Sequence, residues 1–351
     1  MSAAQAAPFL SWAEISAGDG NAVSGAGINT LDYIAPTRQA TTDPLYTSNV
    51  STFAQSCSGA PIAISYDGVT QYLMNPASSA LEGLLDAWAT GQQSAGHIDA
   101  FYFDDTDDLN GAAMPCGFTQ ATWDAANAAL IAGFNYPVIF SGYSISSDSE
   151  ALISGSQVAG AVVEECYGRV SQPTPPYTTG DLWRLDENLE LAAAAAGRMY
   201  FCYNNGGEGA ASSIALRQYI YASFLLSFTP SSSVLWETFS TSSGLHVFPE
   251  SQLVPANPLK NPTTIDDLAT SSGVYVREYG ACSLAGKSLG PCAAVVNSDA
   301  AASHVLPALS RSYMHTLALS GAGILDGGSA SPNGSSAPSM VNAETGLILL
   351  P

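Results

Sequence analysis

The sequence is short of bases. Its 351 residues hold 9 Lys plus Arg against 30 Asp plus Glu, a formal charge of −21. Charged residues make up 11% of the chain, against roughly 25% in an average soluble domain. So few cations cannot neutralise a run of phosphates, which excludes a nucleic-acid partner; adhesion to an anionic membrane surface is excluded on the same ground. No apolar run is long enough to cross a bilayer, so no membrane insertion is expected.

Several reaction signatures are missing too. There is no Cys-x-x-Cys, no His-Glu-x-x-His and no Gly-x-Ser-x-Gly. Gly286-Lys287-Ser288 resembles the end of a phosphate loop, but its upstream glycine, Gly280, lies one residue too far away. Gly18-x-Gly20 and Gly25-x-Gly27 lack the third glycine of a dinucleotide fingerprint. The histidines His97, His246, His304 and His315 show no ligand spacing. The run Asp104-Asp105-Thr106-Asp107-Asp108 lacks the Gly and distal Glu of an EF-hand loop, which leaves open only a calcium site of another kind. Neither a cofactor nor a metal is expected.

What is present is foldable. The chain is 46% hydrophobic, with 16 Tyr, 12 Phe and 5 Trp, which rules out disorder. It is long enough for one large domain, or for one domain and a small appendage. The six cysteines form an even set, which suits an oxidising compartment; reduced core cysteines are the alternative. Cys282 and Cys292 flank a glycine-containing segment and are the pair most readily joined across a hairpin. The start, Met-Ser-Ala-Ala-Gln-Ala-Ala-Pro, has no basic n-region. It reads as a mature N-terminus with an added Met, so the protein is expected to be secreted or periplasmic.

Short β-branched and aromatic runs recur at Pro61–Tyr66, Ile98–Phe103, Tyr136–Phe140, Val158–Val163, Arg198–Tyr203 and Ser233–Trp236. Such runs fit strands buried on both faces. Helical spacing marks Ser79–Thr90, Thr119–Gly133, Leu185–Ala196 and Ile214–Phe228. This alternation predicts an α/β architecture with a parallel sheet. After about Leu245 prolines interrupt the chain, and strand signals follow without helices: Gly273–Tyr279, Ala293–Asn297, Tyr313–Leu319 and Gly346–Leu350. The expected organisation is a catalytic α/β unit over residues 1–248, then a linker and small β-rich domain over 249–351.

Acids follow three apolar runs directly. Phe101-Tyr102-Phe103 leads into Asp104-Asp105, Val162-Val163 into Glu164-Glu165, and Leu235-Trp236 into Glu237. In a parallel α/β barrel, active-site residues stand at the carboxyl ends of strands. Adjacent like charges at a strand tip cost stability or raise a pKa, an arrangement tolerated chiefly where it is used. Two facing carboxylates suffice for glycoside hydrolysis. Strand alternation selects Asp104, on the face of Tyr102, and Glu164, on the face of Val162, with Asp105 and Glu165 in reserve.

These residues also resemble a known group. Tyr72-Leu73-Met74-Asn75-Pro76, then His97-Ile98-Asp99-Ala100-Phe101-Tyr102-Phe103-Asp104-Asp105, is similar to the Met-Asp-Pro … Asp-Gly-Val-Phe-Leu-Asp-Asp pattern of glycosyl-hydrolase-like TIM-barrel families, distantly including endo-α-1,4-polygalactosaminidases. Gly160–Tyr167 resembles that group's Glu-bearing strand. Val274–Tyr279, Ala294–Asn297 and Gly346–Leu350 resemble its terminal β-domain. Asn75, Ala100 and Ser298 depart from the pattern, and the first sixty residues match it poorly. The resemblance implies a (β/α)8 TIM barrel with a small C-terminal antiparallel β domain, acting on an oligosaccharide or polysaccharide.

The residues placed to bind sugar are Tyr66, Asp67, Tyr143, Tyr167, Asn204, Asn205, Trp236 and Glu237. With so few bases in the chain, a neutral or cationic glycan is expected over a polyanionic one. The alternatives to a glycosidase are a transglycosylase using the same residues and a non-catalytic carbohydrate-binding protein on the same fold.

Overall fold

The computed structural model describes the chain except Met1, Phe9, Asp67, Asp107, Asp108, Asn110 and residues 145–151, 169–176, 206–213, 239–246 and 325–326. For Asn205, Trp236, Glu237 and Thr238 it describes the backbone alone. The chain divides into two compact units, Ser2–Val162 and Val163–Pro351.

The first unit begins with the short helix α1 (Ala3–Ala6), strand β1 (Trp12–Glu14), helix α2 (Gly20–Gly25) and strand β2 (Asn29–Ile34). Strands β3 (Arg38–Ala40), β4 (Ala63–Tyr66) and β5 (Val69–Leu73) form a separate three-stranded antiparallel sheet in the order β3-β5-β4. Then come helix α3 (Ser79–Ala95), strand β6 (Ala100–Phe103), helix α4 (Gln120–Gly133), strand β7 (Val138–Ser141) and strand β8 (Val158–Glu164), which continues into the second unit. Ser78 caps α3 by accepting from the Leu81 amide, and Thr119 caps α4 with a reciprocal Thr122 contact. Leu81, Leu85 and Ala89 form the buried stripe of α3.

In the second unit helix α5 (Gly180–Ala195), strand β9 (Met199–Asn205), helix α6 (Ile214–Ser227) and strand β10 (Ser233–Thr238) precede the β-rich segment. That segment comprises β11 (Leu253–Pro258), β12 (Tyr275–Leu284), β13 (Lys287–Asn297), β14 (His304–Val305), β15 (His315–Thr316), β16 (Ala318–Ser320), β17 (Ser329–Ser331), β18 (Met340–Val341) and β19 (Thr345–Leu350). Five of these strands make an antiparallel sheet in the order β11-β12-β13-β19-β15. Helix α6 is buried along nearly its whole length, as expected of a helix that is apolar all round. Gly346 on β19 lets the sheet approach that helix, since a Cβ there would lie 2.6 Å from the Tyr219 Cα.

The parallel strands run in the order β1-β2-β6-β7-β8-β9-β10. This is the TIM-barrel class of α/β fold with a C-terminal antiparallel sheet, here with seven parallel strands among the described residues. One strand departs from expectation. Pro61–Tyr66 is no member of the parallel sheet: its β4 pairs with β5 through Tyr66↔Val69, a two-residue hairpin with Gly68 at φ 78°. Composition alone does not separate the two kinds of strand.

Three disulfides join Cys57–Cys116, Cys166–Cys202 and the expected Cys282–Cys292. No described helix is long and apolar enough to cross a membrane.

Candidate active site

Alternation along β6 sorts its side chains. The Phe101 ring lies 5.3 Å from Trp88 of α3 and 5.5 Å from Phe134, and the Phe103 ring 4.9 Å from Phe134. Both therefore face the helix layer. Tyr102 lies on the opposite face, in register with Tyr33 of β2, the two rings 5.6 Å apart. Asp104 shares that parity. The Tyr33 hydroxyl donates to its Oδ2 at 2.8 Å, and the Asp105 amide donates to its Oδ1 at 3.0 Å. Both oxygens of a half-buried carboxylate are thus oriented by donors.

Asp105 is held differently. It occupies the left-handed region at φ 53°, a costly conformation for a residue with a Cβ. Its carboxylate is ion-paired with Arg38 of β3, and its carbonyl accepts from the Thr37 hydroxyl at 3.0 Å. The Arg38 guanidinium, 4.6 Å above the Tyr66 ring centroid, is itself buried. Asp105 therefore anchors the turn, and Asp104 is the member of the doublet left facing Tyr33. Tyr66, half exposed, borders this turn through Arg38.

Two further acids surround the same point. Glu14, the last residue of β1, pairs in register with Leu31 of β2. Burial pushes its carboxyl up, and the charges of Asp104 and Asp32 push it further. Asp32 is raised to about 6 by burial, partly offset by the Tyr33 backbone N–H. Its Oδ2 has no hydrogen-bond partner among the described residues. The Tyr33 phenol is pushed above its ordinary value by burial, then by the Asp104 charge and hydrogen bond, so it remains a donor.

Sequence reasoning missed Glu14, Asp32, Tyr33 and Arg38. The available signals were an acid closing the short run Trp12-Ala13-Glu14 and another interrupting the apolar Ile28–Ile34. Nothing local marks Arg38, whose partner is 67 residues away.

The second unit carries the other doublet. Glu164 is the exposed last residue of β8, which pairs with β7 as far as Ser141↔Val162. Glu165 sits at φ 55°, its amide donating to the Tyr203 carbonyl at 2.7 Å. Cys166 follows, tied to Cys202 of β9. The Asn204 amide nitrogen donates to the Cys166 carbonyl at 3.0 Å.

Three residues placed at the sugar by sequence are buried in the structure. Tyr167 is fully buried and its hydroxyl donates to Glu190 at 2.8 Å, so it belongs to the core of the second unit. Tyr143 is buried with its ring edge-on to Phe140. Asn204 is buried and braces the disulfide turn. Each lies at or just past the end of an apolar strand, where a side chain is as readily turned inward as outward. Asp67 lies outside the described residues, as do the side chains of Asn205, Trp236 and Glu237. The backbones of the last three lie along β9 and β10, in the registers Trp236↔Tyr203, Glu237↔Asn204 and Thr238↔Asn205.

No protein-family model and no curated protein sequence matches the chain. Among solved structures it is similar to the glycoside hydrolase domain of PelA from Pseudomonas aeruginosa, at 11% identity over 66% of this chain and 88% of that one, with a TM-score of 0.47. It is also similar to Ega3 from Aspergillus fumigatus, in a complex with galactosamine, at 12% identity over 65% and 84% of the two chains and a TM-score of 0.41. A third is the maltogenic α-amylase AmyB from Thermotoga neapolitana, at 10% identity over 93% and 78% and a TM-score of 0.47.

Proposed function

We propose that the protein is a glycoside hydrolase acting on a neutral or cationic oligosaccharide or polysaccharide, with Asp104 and Glu164 as its two carboxylates. The observation that carries this is the state of Asp104: a carboxylate at the carboxyl end of a parallel strand, with both oxygens oriented by donors, beside the 42% exposed ring of Tyr33. A carboxylate fixed as an acceptor suits attack on the anomeric carbon, directly or through a water, while the second carboxyl protonates the leaving oxygen. Glu164, exposed at the end of β8, fills that second role, with Glu165 next to it. The chemistry needs neither metal nor organic cofactor.

The exposed Tyr33 and Tyr66 rings offer flat apolar faces of the kind that pack on pyranose rings. The net charge of −21 and the acids Glu14, Asp32 and Asp104 disfavour a polyanionic glycan. A second assignment of the acid has its own support: Glu14 lies within reach of the Asp104 charge and is raised by burial, the property wanted of a general acid near neutral pH.

The test is release of reducing ends from a panel of neutral glycans and amino-sugar polymers by the wild type, Asp104→Asn, Glu164→Gln and Glu14→Gln. Loss of activity in Asp104→Asn and Glu164→Gln supports the pair; loss in Glu14→Gln with Glu164→Gln active moves the acid to β1. Binding without cleavage of any member identifies a carbohydrate-binding protein. Products longer than the donor identify a transglycosylase.

A further inference from the structure

Helix α5 carries two carboxylates, Glu187 and Glu190, that are both fully buried in the second unit. They lie one turn apart and meet at a single hydroxyl. Ser227, the last residue of α6, contacts Oε2 of Glu187 and, at 3.0 Å, Oε2 of Glu190. The Tyr167 hydroxyl donates to the same Glu190 oxygen at 2.8 Å. The remaining oxygen of each glutamate, Oε1, is buried with no hydrogen-bond partner among the described residues.

Counting protons gives the state of the pair. Ser227 has one hydroxyl proton and touches two carboxylate oxygens, so it can donate in one contact only. In the other contact the hydroxyl must accept, and the only available donor is a carboxyl proton. Counting charge gives the same answer. Arg277 of β12 is the cation nearest in effect to both glutamates, and its Nη1 donates at 2.9 Å to the carbonyls of Leu226 and Phe228, at the C-terminal end of α6. One cation offsets one carboxylate, and a second unpaired charge in this interior would cost several kcal/mol (about that scale for a buried ion).

We propose that Glu187 and Glu190 bind one shared proton in the folded protein, and that this internal proton site makes the packing of α5 on α6 pH-sensitive, intact in acid and weakened once the proton is lost. Burial is the main cause of the upward push on both groups. It raises Glu187 well above the ordinary carboxylate range, with the Glu190 charge adding to it. Glu190 is pushed up to about 7 against the opposing hydrogen bonds of Ser233, Tyr167 and Ser227. The other titratable groups facing the pair are Asp186 on α5, Tyr167 after β8, Tyr200 on β9, Tyr219 on α6, and Tyr275, Arg277 and Tyr279 on β12. The tyrosines are all pushed upward and stay neutral through this range.

The sign follows from linkage. The folded state holds a proton that an unfolded glutamate, with a pKa of about 4.3, releases. The pair therefore stabilises the fold fully below about pH 4, and the contribution is lost as pH rises through the raised folded values of the two groups. Within that window one proton corresponds to about a tenfold increase in the unfolding constant per pH unit.

The experiment is denaturant unfolding of the wild type, Glu187→Gln and Glu190→Gln from pH 4 to 8. The amide of glutamine supplies a donor without a titrating proton. The proposal expects the unfolding constant of at least one variant to rise less steeply with pH than that of the wild type, by up to about tenfold per unit. Variants with the wild-type slope overturn it. Should neither variant fold, infrared spectra of the wild type labelled with 13C-glutamate decide. A protonated glutamate carbonyl band at pH 6 that resists exchange into D2O supports the shared proton, and its absence overturns it.

Discussion

The hydroxyl of Tyr33 donates to Oδ2 of Asp104 at 2.8 Å, joining β2 to the residue that ends β6 across 71 positions of sequence. With the Asp105 amide on the other oxygen, it fixes the plane of the carboxylate. Removing that one donor tests what the orientation is worth. Tyr33→Phe keeps the ring against Tyr102 and deletes the hydrogen bond. A bond to a charged group contributes about 1.5–3 kcal/mol, so kcat should fall by roughly 10–100-fold with KM little changed. Steady-state kinetics on whichever panel member the wild type cleaves reads this directly; an unchanged kcat would remove Tyr33 from the mechanism.

Arg38 and Asp105 form a buried ion pair, with side chains 7% and 15% exposed. Breaking it by Arg38→Met leaves Asp105 charged in a poorly solvated turn. The expected loss is about 3–5 kcal/mol in chemical denaturation. Asp105→Asn should cost less stability than Arg38→Met if the uncompensated carboxylate is the larger penalty, and the same titrations report both.

Asp32 gives a pH prediction with a definite sign. Its carboxyl is raised to about 6 by burial, so the folded protein holds a proton that the unfolded chain releases near pH 4. Its contribution is complete in acid and is lost as pH rises through about 6. Asp32→Asn should therefore gain in Tm relative to the wild type between pH 4 and 7. A difference that is flat with pH, measured by calorimetry, contradicts the buried protonated form.

The disulfides should rank by the loop each closes. Cys57 and Cys116 are 59 residues apart, and Cys282 and Cys292 are 10 apart. Loop-closure entropy gives about 4.2 kcal/mol for the first and about 2.7 kcal/mol for the second. Paired Cys→Ser variants compared by urea unfolding should lose stability in that order.

Much of this molecule can be read from local pattern. The phenylalanines of β6 alternate with Tyr102 as a strand between helices requires, and the caps Ser78 and Thr119 stand where the apolar periodicity begins. The paired acids at the ends of β6 and β8 stood out for the same reason. What escaped is either short or long-range. Strand β1 has three residues, and β2 carries Asp32 in its middle, so neither shows a continuous apolar run. Arg38 acts on Asp105 through a distant pairing that no window contains. Tyr167 is turned inward, its hydroxyl donating to the buried Glu190 nearly three turns into α5; its position after a strand gave no hint of that.

The most direct measurement is the initial rate of reducing-end release by Asp104→Asn and Glu164→Gln, each checked for a wild-type Tm, on a neutral or amino-sugar polymer that the wild-type protein cleaves. The account predicts a loss of at least about 100-fold in both variants, the scale of removing an acid, base or nucleophile. Wild-type turnover by Asp104→Asn would contradict it.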